Sequence, residues 1–416
     1  MAKKAEGMLS PYRVLDLTGE KGLLCGKLLG DLGADVIKIE RPGGDPARSI
    51  GPFYHDEPDP EKSLFWYALN TSKRGVTLNI ETADGQAIFK KLVKDADFVI
   101  ESFSPGYLDK LGLGYSDLEK INPGVILVSI TPFGQTGPYR DWKTSDIVAW
   151  AMGGDMAPWG EPDRPPIHFS HHSQAYLHAG ADGALGALTA LYYRHITGEG
   201  QHVDVSIQEA VVHCLEHITS NWDFRQAFAR RGETRNPGVG HHTILIWPCK
   251  NGWVSWSHGG NSVLAPSLPL IKWMEAEGYT SDFLKTFDWN RPDFVRIPQE
   301  EMDQIDEPTA RFFMAHTKTE LLEGAVKYGV MMYPVATTDD MLENRQLKAR
   351  NFWIELEHPE LGISLTYPGT FAFSSEIPIS ITQRAPLIGE HNLEIYGHEL
   401  GISKEELVIL KQAGVV

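Results

Sequence analysis

The stretch Tyr12–Arg41, "YRVLDLTGEKGLLCGKLLGDLGADVIKIER", decides how the chain is read. Its first part, Tyr12–Thr18, is an apolar, β-branched run ending at a turn, the pattern of a short buried strand. "KGLLCGKLLGDLGA" then sets apolar residues at helical spacing, with Gly33 near its end where a C-cap belongs. "DVIKIER" (Asp35–Arg41) is a second strand. Strand, helix and strand with short links form the unit from which parallel sheets are built, since parallel strands need a crossover.

Working outward, the same rhythm continues. "GVTLNI" (Gly75–Ile80), "DFVIES" (Asp97–Ser102) and "VILVSITPFG" (Val125–Gly134) read as further strands, separated by helical segments such as "ADGQAIFKKLVKDA". The expected fold is α/β, with a Rossmann-like large domain and a smaller second domain. After "GQHVDVSIQEAVVHCLEHIT" the rhythm breaks. Residues 225–325, with aromatics, prolines and acidic runs such as "IPQEEMDQIDEP", are expected to form the small domain. That leaves 1–224 and 326–416 for the large one. At the C-terminus, Ser403 and Glu406 have the spacing of a capping box.

Composition excludes several function classes. Hydrophobic residues at 42% and charged residues at 22% are ordinary for a soluble globular protein. No apolar run reaches the ~18 residues that span a bilayer, and the first residues lack the apolar core of a secretory signal. Cys25, Cys214 and Cys249 are scattered without C-x-x-C spacing, which argues against a disulfide framework or a zinc ribbon and for a reducing cytoplasm. A net charge of −17 disfavours nucleic acid and anionic membranes as partners. It leaves room for an anionic small molecule held by a local basic cluster. The basic groups Lys38, Arg41 and Arg48, Lys73 and Arg74, and Arg140 and Lys143 are either such a phosphate pocket or solvated surface charge.

A second stretch, "RPPIHFSHHSQAYLHAGADGALGALTALYYRHITGEGQ" (Arg164–Gln201), gathers His168, His171, His172 and His178 around Ser170, Ser173 and Tyr176. No carboxylate lies between these histidines and their spacing matches no standard metal motif, so no metal is expected. G-x-S-x-G is absent, so a serine nucleophile is not indicated either. The histidines are expected to line a loop and a helix start. "GEKGLLCG" does not fit G-x-G-x-x-G and a Walker lysine is missing, which weakens nicotinamide or nucleoside-triphosphate use.

In order along the chain, five segments resemble the family III CoA-transferases: "VLDLTGEKGLLCGKLLGDLGADVIKIERPGGDPAR", "KRGVTLNI", "DFVIESFSPGYLDKLGLGYSDLEKINPGVILVSITPFGQTGPYRD", "TALYYRHITGEGQHVDVSIQEA" and "PLIGEHNLEIYGHELGIS". The resemblance covers nearly the whole chain. It implies a Rossmann-type large domain built from both chain ends, a smaller domain between them, and two subunits threaded as interlocked rings. It also implies coenzyme A and its thioesters as substrates, with no permanently bound cofactor. In the family, an aspartate attacks the acyl-CoA thioester to give a mixed anhydride. CoA thiolate then forms an enzyme thioester, and the acceptor acid leaves as its CoA ester.

The family's aspartate stands 21 residues before the threonine of T-G-x-G-Q, with a glycine four residues after it; here Thr197 counts back to Tyr176, and Gly180 fits the glycine. Asp182 lies six residues beyond Tyr176, about one and two-thirds helical turns away, and should point elsewhere. A phenol ionises near pH 10 and its ester is a poor analogue of an anhydride, so Tyr176 is not expected to act as nucleophile. The E-N-F-[RH]-P-G segment reads "ESFSPG", with Ser102 and Ser104 replacing amide and basic side chains. The glutamine found after the first strand is Glu20 or Lys21 here, and the racemases' G-H-D reads "TSD", with Ser145 for the histidine.

The resemblance therefore implies an accessory, non-catalytic subunit of a heteromeric CoA-transferase. Its partner would be a paralogous subunit carrying the aspartate. A few members of the family are heteromers of this kind, and the resemblance implies one that moves CoA from succinyl-CoA to an aryl-substituted succinate such as (R)-benzylsuccinate, as in anaerobic toluene degradation. By family position the CoA contacts are Arg41, Lys73, Arg74, Lys110, Leu111 and Lys143. The rival expectations are a self-sufficient homodimer using a non-aspartate nucleophile and a catalytically dead CoA-binding regulator.

Overall fold

Six parallel strands form the centre of the larger of two compact units. The computed structural model describes residues 7–160, 163–168, 173–215, 222–224, 226, 241–260 and 266–416. The first strand, β1 (Arg13–Leu17), leads into helix α1 (Leu23–Asp31) and strand β2 (Asp35–Glu40). There follow α2 (Leu64–Leu69), β3 (Lys73–Thr77), α3 (Ala83–Val93) and β4 (Phe98–Glu101). Then come α4 (Tyr107–Lys110), α5 (Tyr115–Ile121), β5 (Ile126–Thr131), α6 (Asp146–Gly153), α7 (Gln174–Thr197), β6 (His202–Ser206) and α8 (Ile207–His213). The strand order is β3-β2-β1-β4-β5-β6, all parallel. This is the doubly wound order, and the chain reverses its direction of winding between β1 and β4.

Alternate residues of these strands feed two cores, as a period of two dictates. Val14, Phe98, Ile100, Val128 and Ile130 face one side and pack with the alanines of α7. Leu15, Leu17, Ile37, Val99 and Leu127 face the other, with Phe89 of α3 and Tyr396. The turn from α1 to β2 needs a glycine: Gly33 has φ of +100°, and a Cβ there would meet the Gly7 Cα at 2.4 Å.

The third strand begins at Lys73, two residues before the Gly75 expected from its apolar run. The reason is tertiary. Lys73 is fully buried, with its ammonium donating to Asp16 Oδ2 at 2.8 Å, Leu23 O at 2.9 Å and Asn70 Oδ1 at 2.9 Å. A charged residue thus occupies an interior strand position that a hydrophobicity pattern cannot mark. The far side of β3 is closed by the chain's last segment: His391 N–H donates to Gly75 O at 2.9 Å, and the Tyr396 hydroxyl to Thr77 O at 2.9 Å. A covered edge cannot pair with another chain. Strands β10 (Trp353–His358) and β11 (Ile363–Pro368) add an antiparallel hairpin to this unit.

The smaller unit comprises Ala157–Ile167 and His217–Leu347, longer than the expected 225–325. Its sheet pairs β7 (Ile246–Cys249), β8 (Gly252–Ser255) and β9 (Tyr333–Pro334) antiparallel. Because β9 lies beyond residue 325 and pairs with β8, the unit must extend past that point. Its core is aromatic, built on Trp247, Trp256, Trp273, Trp289, Phe312 and Phe313.

Candidate functional site

Open parallel sheets bind ligands outside the carboxyl ends of the strands where the winding reverses. A cavity of about 670 Å³ opens there, lined by residues that follow β1 (Glu20, Lys21), β2 (Arg41, Asp45), β3 (Asn79, Glu81) and β4 (Ser102, Phe103). Most charges around it are already paired. Glu40 takes Arg48 Nε at 2.6 Å and Nη2 at 2.8 Å, and the Lys38 ammonium lies 3.8 Å from both Asp16 and Asp45 while donating to Thr18 O. Ser102 Oγ accepts the Gly19 N–H at 2.9 Å, so this side chain fixes the loop after β1.

Glu101 ends β4 opposite Leu17 of β1 and is buried. Burial raises its carboxyl to about 7, against hydrogen bonds from Ser129 and the Phe103 N–H that favour the anion. The sequence carries a signal for it, a carboxylate closing an apolar strand, but no motif marks the position. Lys21, half-buried, has its ammonium destabilised by burial, with Glu20 and Glu101 near enough to counter part of that effect.

Glu20 joins the cavity to the start of α7. Its Oε1 accepts the Ser173 hydroxyl at 2.9 Å, while Asp146, the first residue of α6, accepts the Ala175 N–H at 2.7 Å and His168 Nε2 at 2.9 Å. Tyr176 sits between them, 5% exposed, in a core cluster with Trp150 and Ala179. It shares a helix face with Gly180, where a Cβ would meet Leu24 Cβ at 2.9 Å, so α7 and α1 touch backbone to backbone. Burial, then the charges of Glu20 and Asp146, push the Tyr176 phenol well above its usual range. A phenolate is thus even scarcer than in a free tyrosine.

The structure separates the six positions expected at CoA. Arg41 lines the cavity, is exposed, and its side chain has no hydrogen-bond or ion-pair partner among the described residues. Lys73 and Arg74 belong to the scaffold instead. Lys73 is saturated by Asp16, Leu23 and Asn70, and Arg74 binds Asp35 at 2.7 Å, Glu394 at 2.7 Å and Glu399 at 2.6 Å. Lys110 and Lys143 are exposed, and Leu111 packs against the sheet; none of the three lines the cavity. Asp182 is half-buried, with Oδ2 3.5 Å from His213 Nδ1 of α8. His178 lies 3.5 Å from Cys214 Sγ. Ser170, His171 and His172 lie outside the described residues. Among the described residues no cluster of side chains could hold a metal, and no helix is long and apolar enough to cross a membrane.

The family model described as CoA-transferase family III matches residues 9–392. The chain belongs to CoA-transferase family III. Members of the family use CoA thioesters as substrates, which suits a cavity at the strand ends with a cation at its rim. Among relatives, the succinyl-CoA:(R)-benzylsuccinate CoA-transferase subunit BbsE of Thauera aromatica is 35% identical over 413 residues, 98% of each chain. The succinyl-CoA–D-citramalate CoA-transferase of Chloroflexus aurantiacus is 32% identical over 98% of each chain. A formyl-CoA:oxalate CoA-transferase of Streptomyces avermitilis is 34% identical over the full length of both. A crystal structure of a CaiB/BaiF family protein from Brucella suis superposes with a TM-score of 0.80 at 28% identity, covering 94% of this chain and 99% of that one.

Proposed function

We propose that this chain is the accessory subunit of a heteromeric family III CoA-transferase, interlocked with a paralogous subunit that supplies the nucleophilic aspartate. The substrate pair is succinyl-CoA and an aryl-substituted succinate such as (R)-benzylsuccinate. One observation supports this reading: Tyr176, which the count back from Thr197 assigns to the family's nucleophile position, is buried among apolar side chains with its phenol pushed away from ionisation. The similarity to a named subunit of a benzylsuccinate enzyme supports it. The relatives' named acids, benzylsuccinate, citramalate and oxalate, are all dicarboxylic, which supports an acid with a second carboxylate as the acceptor here. In this reading the cavity receives the thioester end of CoA, Arg41 meets its phosphates, and Lys110, Leu111 and Lys143 extend the contact outward. Lys73 and Arg74 hold the sheet.

Native mass and subunit composition of the protein purified from its own host test the assembly. The expected result is a second chain of similar size with aspartate at the position of Tyr176. CoA-transferase activity in a pure homodimer would sink the accessory role. That outcome favours a second reading, for which Glu20 is the observation: its carboxylate lines the cavity and is oriented by Ser173 beside Tyr176. Hydroxylamine trapping of an acyl adduct on Glu20 would identify it as the nucleophile of a self-sufficient enzyme.

A further inference from the structure

Three lysines belong to the first three strands and the loop after β1: Lys38 lies within β2, Lys73 begins β3 and Lys21 follows β1, and the first two are neutralised by contact. Lys38 and Lys73 are wholly buried, and both share Asp16. Lys21 differs. It lines the 670 Å³ cavity, is half-buried, and makes no hydrogen bond and no ion pair within 4.0 Å among the described residues.

Its acidic neighbours are engaged elsewhere. Glu20 is held by the Ser173 hydroxyl at 2.9 Å, and Glu101 by the Phe103 N–H at 2.6 Å. With its carboxyl raised to about 7 by burial, Glu101 is only partly ionised near neutrality. An ammonium that has lost part of its hydration without gaining a direct partner is a receptor for an anion, because a charge-assisted hydrogen bond restores what desolvation removed.

We propose that Lys21 binds the free carboxylate of a dicarboxylic acyl group, and so selects ω-carboxyacyl thioesters over plain acyl thioesters. The inference rests on the reading that this cavity receives the thioester end of CoA. It goes beyond that reading by assigning the group that recognises the second carboxylate. The acyl chain then lies between Phe103 on one wall and the loop after β1 on the other, with its carboxylate on the Lys21 ammonium. Glu20 and Glu101 set the strength of the selection, since each carboxylate near Lys21 competes electrostatically with the ligand.

The test uses the full native assembly and two unreactive thioethers, S-(3-carboxypropyl)-CoA and S-butyl-CoA, which differ only in a carboxylate for a methyl group. Calorimetric titration of the unsubstituted protein should show the carboxylated ligand bound about tenfold to a hundredfold more tightly at one site per copy of this chain. Lys21→Met should reduce that preference to about twofold while leaving S-butyl-CoA affinity unchanged, and Lys21→Arg should retain most of it. A Lys21→Met variant that keeps the preference, or that weakens both ligands equally, overturns the proposal. If neither thioether nor CoA binds to this chain, the assignment of the cavity to CoA falls, and the role of Lys21 with it.

Discussion

Lys73 and His258 are both wholly buried, yet their surroundings treat charge in opposite ways. In the larger unit, Lys73 on β3 meets Asp16 on β1 at 2.8 Å, and Arg48 meets Glu40 on β2 at 2.6 Å, so each charge has a counter-charge supplied by another element. Burial alone would raise the Asp16 carboxyl, but the ammoniums of Lys73 and Lys38 hold it below its usual range. In the smaller unit, His258 is enclosed by Trp256 at 4.2 Å and Trp289 at 5.9 Å between ring centroids, and its Nδ1 has no partner among the described residues. Asp306 Oδ1 stands 3.8 Å from His258 Nε2, too far for a hydrogen bond. Burial lowers the imidazole to about 3 and raises the Asp306 carboxyl to about 7. The first region keeps its charges by pairing them; the second gives them up.

The largest expected effect tests the paired region. Lys73→Met leaves Asp16 as a buried carboxylate short of its nearest counter-charge, which should cost about 3–5 kcal/mol of stability in denaturant unfolding. A loss below about 1 kcal/mol would show that Asp16 simply takes a proton and that the two regions are alike. A smaller effect separates charge from polarity at the same edge. Tyr396→Phe removes a neutral donor from Thr77 O and should cost about 1–3 kcal/mol.

The smallest effect belongs to the smaller unit and depends on pH. The folded state holds the Asp306 proton up to about 7, so its contribution is present below the usual carboxyl value near 4 and is lost as pH rises through about 7. His258 acts in the opposite sense: its lowered value makes stability fall as pH drops from about 6.5 toward 3. Asp306→Asn isolates the first term. Its melting temperature relative to the parent should rise between pH 4 and pH 8, by a few degrees at most on a scale of about 2–4 °C per kcal/mol. A difference that is flat with pH would mean Asp306 is ionised in the folded state, and the contrast with the paired region would then fail.

Much of the fold was legible in local pattern. The strands at Tyr12–Thr18, Asp35–Arg41, Asp97–Ser102 and Val125–Gly134 each contain an observed strand, and Ser403 and Glu406 form the capping box their spacing predicts. The candidate site was legible only in part. Counting back from Thr197 singles out position 176, but Glu20 and Lys21 in the loop after β1 come near Glu101 at the end of β4, a convergence no single segment displays.

The sequence by itself determined the alternation of strand and helix, the glycine at position 33 and the residue types at the family's landmark positions, because each depends on neighbours a few residues apart. Which basic residues are free to meet a ligand was decided only by the tertiary structure. Lys21 and Lys73 are alike as letters beside apolar runs. Lys73 acquires Asp16, 57 residues away in the chain, and becomes part of the sheet's interior; Lys21 has no direct partner among the described residues and lines the cavity. Electrostatic interactions act through space, and only folding fixes those distances.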